Sequence, residues 1–161
     1  MSRFASSFTR MARTPAITAA ETAGIAFKEH RYEHDPAAES YGLEAAEKLG
    51  VEPARVFKTL VVSIDGTLGV ACVPVERQLD LKALGKRAEL ADRRRAEAAT
   101  GYVTGGISPL GQRRQLPTYL DASMLDHETV FVSAGRRGLE IELAPADLAA
   151  LTSASFRPVA G

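Results

Sequence analysis

Tryptophan is absent, cysteine occurs once, and the 20 Lys and Arg are matched by 20 Asp and Glu, leaving no formal net charge. Each shortage excludes something. A lone Cys72 cannot close an internal disulfide, so the chain has no disulfide framework and suits a reducing compartment, the cytoplasm. Dedicated nucleic-acid binders are usually strongly basic, because affinity comes from neutralising phosphates; any RNA contact here must be local or shared with a partner. With aromatics at 6%, the core has to rest on Val, Leu, Ile and Ala. No apolar run approaches the roughly 20 residues of a membrane helix. There is no CxxC, HExxH, Walker loop or dinucleotide fingerprint, and His30, His34 and His127 lack zinc-ligand spacing. No Ser-His-Asp arrangement can be argued either. The sequence offers no conventional nucleophile, metal site or cofactor site.

What is present is ordinary globular composition, 45% hydrophobic and 25% charged over 161 residues, enough for one domain. The first ten residues carry two Arg, three Ser and no acid. They resemble a short transit peptide but are too brief for one, so residues 1–12 read as a disordered extension, with Met11 an alternative start. Residues 13–161 read as a single α/β domain.

Thr14-Pro15 opens a helix through Ala23, ended by Gly24, and Ser40 caps another through Leu49, ended by Gly50. Ile25–Tyr32 alternates as a strand. Val56–Ile64 is the clearest strand and returns through Asp65-Gly66 into Leu68–Val73; both are apolar on two faces and belong centrally in a covered sheet. Leu79–Leu84 and Asp92–Ala99 read as short helices, and Tyr102–Thr104 and Thr118–Leu120 as brief strands. Val130–Ser133 and Leu139–Leu143 form a second hairpin. Pro145 opens a last helix to Leu151, and a short strand follows near Phe156.

Lys58 stands out, a cation sharing a strand face with Val56, Leu60 and Val62; it must reach solvent or an anion. It also fits an edge lysine that blocks aggregation or snorkels outward. Gly105-Gly106-Ile107-Ser108-Pro109 permits close main-chain approach and then stiffens, as a ligand loop or a plain connection would. Arg136 and Arg137, in a small-residue turn, could face an anion or simply be solvated. Arg113 and Arg114 beside the glycine loop could steer an RNA end; Arg93–Arg95 reads as a solvated helix face. Thr59 points away from Lys58 and reads as packing, Cys72 as a buried structural thiol, and Asp35 and Glu39 as cap and turn residues.

Four ordered segments carry a resemblance: Tyr32-Glu33-His34-Asp35-Pro36; Val56-Phe57-Lys58-Thr59-Leu60; Thr100-Gly101-Tyr102 running into Gly105–Gly111; and Val132–Ile141. Over Arg13–Phe156 the chain resembles the YbaK-type Cys-tRNA(Pro) deacylases, relatives of the editing domain inserted in bacterial prolyl-tRNA synthetases. The resemblance implies a mixed, partly barrel-like sheet flanked by helices, and a trans-editing task, removal of cysteine from mischarged tRNA(Pro). It implies that Lys58 contacts the 3′-terminal nucleotide and that the Gly106–Pro109 loop holds the terminal ribose and ester, with Lys58 and Gly106 closest to the chemistry. Tyr32, Tyr41, Thr59, Gly105, Ile107, Ser108, Ser133 and Glu140 would complete the pocket.

In the mechanism so implied, the substrate's own thiol attacks its ester and leaves as a thiolactone, so the chain needs no nucleophile of its own. The protein contributes proximity and charge. Tyr41 stands where that family usually has Phe, and Glu140 where close relatives often carry Asp, so alanyl- or another small aminoacyl-tRNA is an alternative substrate. A reading of another class is a non-catalytic module binding tRNA or prolyl-tRNA synthetase. Arg113, Arg114, Arg136 and Arg137 are the expected tRNA contacts; no cofactor is expected.

Overall fold

A computed structural model describes residues 13–161; the extension expected over residues 1–12 lies outside them. Among the described residues, four α-helices and eight strands make one α/β unit, with the helices at α1 Pro15–Ala23, α2 Tyr41–Leu49, α3 Arg93–Thr100 and α4 Pro145–Thr152. The strands are β1 Phe27–Arg31, β2 Phe57–Ile64, β3 Thr67–Pro74, β4 Ala88–Leu90, β5 Thr118–Asp121, β6 Val130–Arg136, β7 Leu139–Leu143 and β8 Ser155–Arg157.

Local chemistry sets the boundaries. The Thr14 hydroxyl accepts from Ile17 N–H at 3.2 Å and Pro15 fills the first position of α1, where no N–H is needed. Ser40 accepts from Leu43 N–H in the same way at α2. The β2–β3 turn needs two left-handed residues, and Asp65 and Gly66 supply them with φ of 52° and 89°.

The strands form two sheets, β1-β7-β6, wholly antiparallel, and β4-β2-β3-β5-β8, in which β3–β5 and β5–β8 run parallel. β2 and β3 are central, as their two apolar faces require. The sheets meet at the Val56–Phe131 bridge and do not close into a barrel. Val70, Cys72, Leu120, Val132 and Ile141 of the two sheets share one buried core, to which α1 adds Ala16, Ile17 and Ala20 and α4 adds Leu148. The absence of tryptophan is met by this aliphatic packing.

Two sequence expectations are corrected. Tyr102–Thr104 is not a strand: Gly106 N–H bonds back to Val103 O at 2.8 Å, closing a turn, while Thr104 N–H goes to Glu97 at 2.8 Å. With its donors used locally, this segment has none for a ladder. Leu79–Leu84 yields only a 3₁₀ turn at Leu81–Ala83, because Leu79 is bridged to Ala160 and Asp80 caps the turn. The three-residue β4 and the 3₁₀ segment Ala122–Asp126 carry no periodic signal and were not expected.

Candidate functional site

A cleft of about 460 Å³ opens where the two sheets diverge, a size suited to a small-molecule group. One wall is β2. On the edge away from β3, β2 meets β6 only at Val56–Phe131 and β4 only over Val62–Ile64. Val75 N–H donates to Val56 O at 2.9 Å, and this fixes the alternation of ladder bonds. Lys58 and Leu60 therefore turn their main-chain groups to β3. Thr59 turns its N–H and C=O toward the unpaired edge.

Lys58 and Thr59 both line the cleft, because the opening straddles that edge and receives both strand faces. Lys58 is half-buried, joins no salt bridge among the described residues, and burial holds its ammonium below the usual lysine range. Lys58 is paired with Val73 of β3, so it is not a lysine on an outermost strand, and its side chain stands beside the stretch of β2 that is open on the other edge. Thr59, expected as packing, also reaches Cys72 Sγ at 3.7 Å. Cys72 is fully buried, its thiol pushed up to about 12 by burial, as expected of a structural cysteine.

The second wall is the glycine loop with the β6–β7 turn. Gly105 has φ of 94°, and a Cβ there would lie 2.4 Å from Arg137 Nε and 2.9 Å from the Tyr41 ring. The Arg137 guanidinium stacks 4.3 Å above Tyr41 and donates to Thr104 O at 2.8 Å. Arg137 thus clamps the N-terminus of α2 to the loop across the mouth of the cleft. Gly105 and Ile107 line the cleft. Gly106 faces the other way, against the Arg136 main chain, in a shallow groove of about 330 Å³. Ser108 and Pro109 are buried behind the loop, where the Ser108 hydroxyl accepts from Leu110 N–H at 3.2 Å; they do not line the cleft.

The back wall is the outer face of β1-β7-β6, where Tyr32, Ser133 and Glu140 meet the cleft; Ser133 and Glu140 are register partners. Glu140 is 7% exposed and its carboxyl has no hydrogen bond or salt bridge among the described residues. Burial pushes it up to about 8. Tyr32 is pushed up to about 12 by burial and then by the neighbouring Glu140 charge. Two residues along the same face, Glu142 has the opposite setting. Burial would raise it, but Thr129 at 2.6 Å, His30 at 2.8 Å and Arg55 at 3.4 Å outweigh that and hold it below the usual range.

Arg113, Arg114, Arg136 and Arg137 are exposed and join no salt bridge among the described residues. Arg113 and Arg114 stand outside the cleft. Among the described residues no His, Cys, Asp and Glu cluster could hold a metal ion, and no helix is long and apolar enough to cross a membrane. Glu39, Gly42, Leu90, Ala91, Arg93 and Ala96 also line the cleft. Sequence reading missed them because they come from a turn, the first turn of α2, the unforeseen β4 with the residue after it, and a helix face that reads as solvated. Asp35 is the expected turn residue, accepting from Ala37 N–H at 2.9 Å.

The family signature of the aminoacyl-tRNA editing domain matches residues 35–151. EbsC of Enterococcus faecalis, provisionally named a Cys-tRNA(Pro)/Cys-tRNA(Cys) deacylase, is 38% identical over 157 residues, 91% of this chain and 93% of that protein. The proline--tRNA ligase of Shouchella clausii is 32% identical over 100 residues, 59% of this chain and 18% of the ligase. A crystal structure described as a provisional trans-editing enzyme for prolyl-tRNA synthetase superposes with a TM-score of 0.80 at 27% identity, covering 91% of this chain and 95% of that one.

Proposed function

From the premise that the chain belongs to the aminoacyl-tRNA editing domain family, we propose that it deacylates cysteine wrongly attached to tRNA(Pro), acting in trans in the cytoplasm. The observation that carries this reading is the make-up of the cleft: an unpaired, half-buried Lys58 beside an open strand edge, with no His or Cys in the lining. Such a site can hold and polarise an ester, and it leaves the attack to the substrate. The cysteine thiol attacks its own carbonyl carbon, the bond to the ribose oxygen breaks, and a thiolactone departs. The name carried by EbsC supports cysteine as the amino acid.

In this reading Lys58 meets the terminal phosphate or the charge developing on the ester. Thr59 offers its main chain from the open edge, Gly105 and Ile107 border the ribose, and Tyr32, Tyr41, Ser133 and Glu140 shape the amino-acid pocket. Gly106 holds the loop against the Arg136 turn. Ser108 and Pro109 stiffen the loop from behind. Arg113, Arg114, Arg136 and Arg137 meet the acceptor-end phosphates. With no net charge, the affinity for tRNA is completed by prolyl-tRNA synthetase, and neither metal nor cofactor takes part.

The test is a deacylation assay with cysteinyl-, alanyl- and prolyl-tRNA(Pro). Cysteine is released quickly and proline is spared. Lys58→Ala, with an unchanged melting profile, loses roughly 10²-fold or more in turnover. Rapid release of serine from seryl-tRNA(Pro) would exclude the thiol route, faster release of alanine would assign the site to that substrate, and no hydrolysis of any charged tRNA would make this a binding module.

A further inference from the structure

Among the described residues, Glu140 is a buried carboxylate that the fold leaves without a hydrogen bond or ion pair. It is 7% exposed, no described side chain or main-chain donor reaches its carboxyl, and it lines the cleft. No buried side-chain oxygen among the described residues is sealed away unpaired, so the Glu140 oxygens open onto the cleft space. A carboxyl so placed loses hydration without gaining a protein partner, a cost natural folds accept where a ligand supplies the partner.

The contrast with Glu142 sharpens this. Both side chains leave the same face of β7, yet Glu142 is surrounded by Thr129, His30 and Arg55 and stays ionised, while Glu140 has no cation within reach. Two carboxyls whose surroundings drive them apart commonly divide into a structural anion and a proton-transfer group. The titratable groups around Glu140 are His30 on β1 and Tyr32 just after it, Tyr41 and Glu44 on α2, Lys58 on β2 and Arg137 of the turn, with Glu39 and Arg93 also in the lining. Burial alone accounts for its raised value. His30 and Glu44 are occupied by Glu142 and His34, at 2.8 Å and 2.7 Å, and Arg137 by Tyr41 and Thr104.

We propose that Glu140 is the catalytic proton acceptor for the substrate's side-chain thiol. The inference rests on the deacylase reading above. With the ester held along β2, the amino-acid side chain is the part that projects to the back wall. A thiol proton passes to a Glu140 carboxylate oxygen as sulfur bonds to the ester carbonyl carbon. The bond from that carbon to the ribose oxygen breaks, the ribose oxygen takes a proton from water, and Glu140 returns its proton to solvent. One thiolactone and one free 3′ hydroxyl result. A group that titrates at about 8 is well matched to a thiol of ordinary acidity, near 8.5. It would be a poor counter-ion for an α-ammonium at neutral pH, where it is mostly uncharged.

The experiment is single-turnover release of cysteine from cysteinyl-tRNA(Pro) across pH with wild type, Glu140→Gln and Glu140→Asp. Binding is measured in parallel with a non-hydrolysable amide-linked cysteinyl-tRNA(Pro). The wild-type rate climbs with pH and levels off near pH 8. Glu140→Gln is slower by about 10²-fold at neutral pH, binds the analogue within about twofold of wild type, and keeps climbing beyond the wild-type plateau as the thiol ionises unaided. Glu140→Asp keeps part of the rate and the plateau, which guards against a folding defect in the amide. An unchanged rate in Glu140→Gln overturns the proposal, as does a loss of rate and binding together with an unaltered pH profile. Wild type inactive on cysteinyl-tRNA(Pro) removes the underlying reading as well, and that outcome is visible without any variant.

Discussion

Gly106 allows nothing larger without moving main chain. An alanine Cβ would sit 2.6 Å from Arg136 Cα and 3.0 Å from its carbonyl carbon, so the loop and the β6–β7 turn must separate. Gly106→Ala should lower the melting temperature by roughly 3–10 °C, the consequence of about 1–3 kcal/mol of overpacking. It should also reduce deacylation measured well below that midpoint, because Gly105 and Ile107 move with the loop. Calorimetry and the cysteine-release assay check the two effects separately. Lys58 was legible in the sequence because a cation in a β-branched run breaks a pattern. Glu140 was not legible by pattern: alternation puts it on the outer face of β7 together with Glu142, and composition cannot tell a paired glutamate from an unpaired one. Its place came only from the resemblance.

At the scale of elements, the mouth of the cleft depends on one side chain joining three segments. Arg137, in the β6–β7 turn, stacks on Tyr41 at the start of α2 and bonds Thr104 before the glycine loop. A partly exposed cation–π contact contributes about 0.5–1 kcal/mol, so Arg137→Ala should shift the melting temperature by only a few degrees. Its larger effect should be on KM for charged tRNA, raised by about tenfold if roughly 1.4 kcal/mol of positioning is lost, with kcat within about twofold. Arg137→Lys should not restore KM, since an ammonium lacks the planar face and fork; steady-state kinetics on the two variants decide it. Helix ends and the two hairpins were readable from caps and turn residues, because those signals are local. The division into two sheets, the short β4 and the 3₁₀ turn at Leu81–Ala83 were not, since they depend on long-range pairings such as Leu79 with Ala160.

For the whole molecule, the back wall ties stability to pH. Glu140 ionises at about 8 in the folded protein against 4.5 when unconstrained, so the folded state holds its proton more tightly. Its contribution is fully present below about pH 4.5 and declines as pH rises toward about 8. Glu44 and Glu142 act in the other direction. Burial would raise them, but their hydrogen bonds and cations lower them, so the stability they supply is lost as pH falls through their folded values. Glu140→Gln should therefore melt higher than wild type at pH 8, converge with it near pH 5, and leave the acid limb unchanged, as thermal unfolding across pH would reveal. A substitution that stabilises the protein while slowing it is the signature of a group kept for chemistry at some expense to the fold.

The unpaired stretch of β2 has a consequence for how such a site could be mapped. On the proposed reading, a hydrogen bond from the substrate to the Thr59 main chain has no side chain to delete, so alanine scanning would pass over it, and drift in the lining residues could retune the amino acid without loosening the grip on the ester. An ester in place of the Thr59 amide, introduced by chemical ligation, would expose what side-chain replacement leaves unseen.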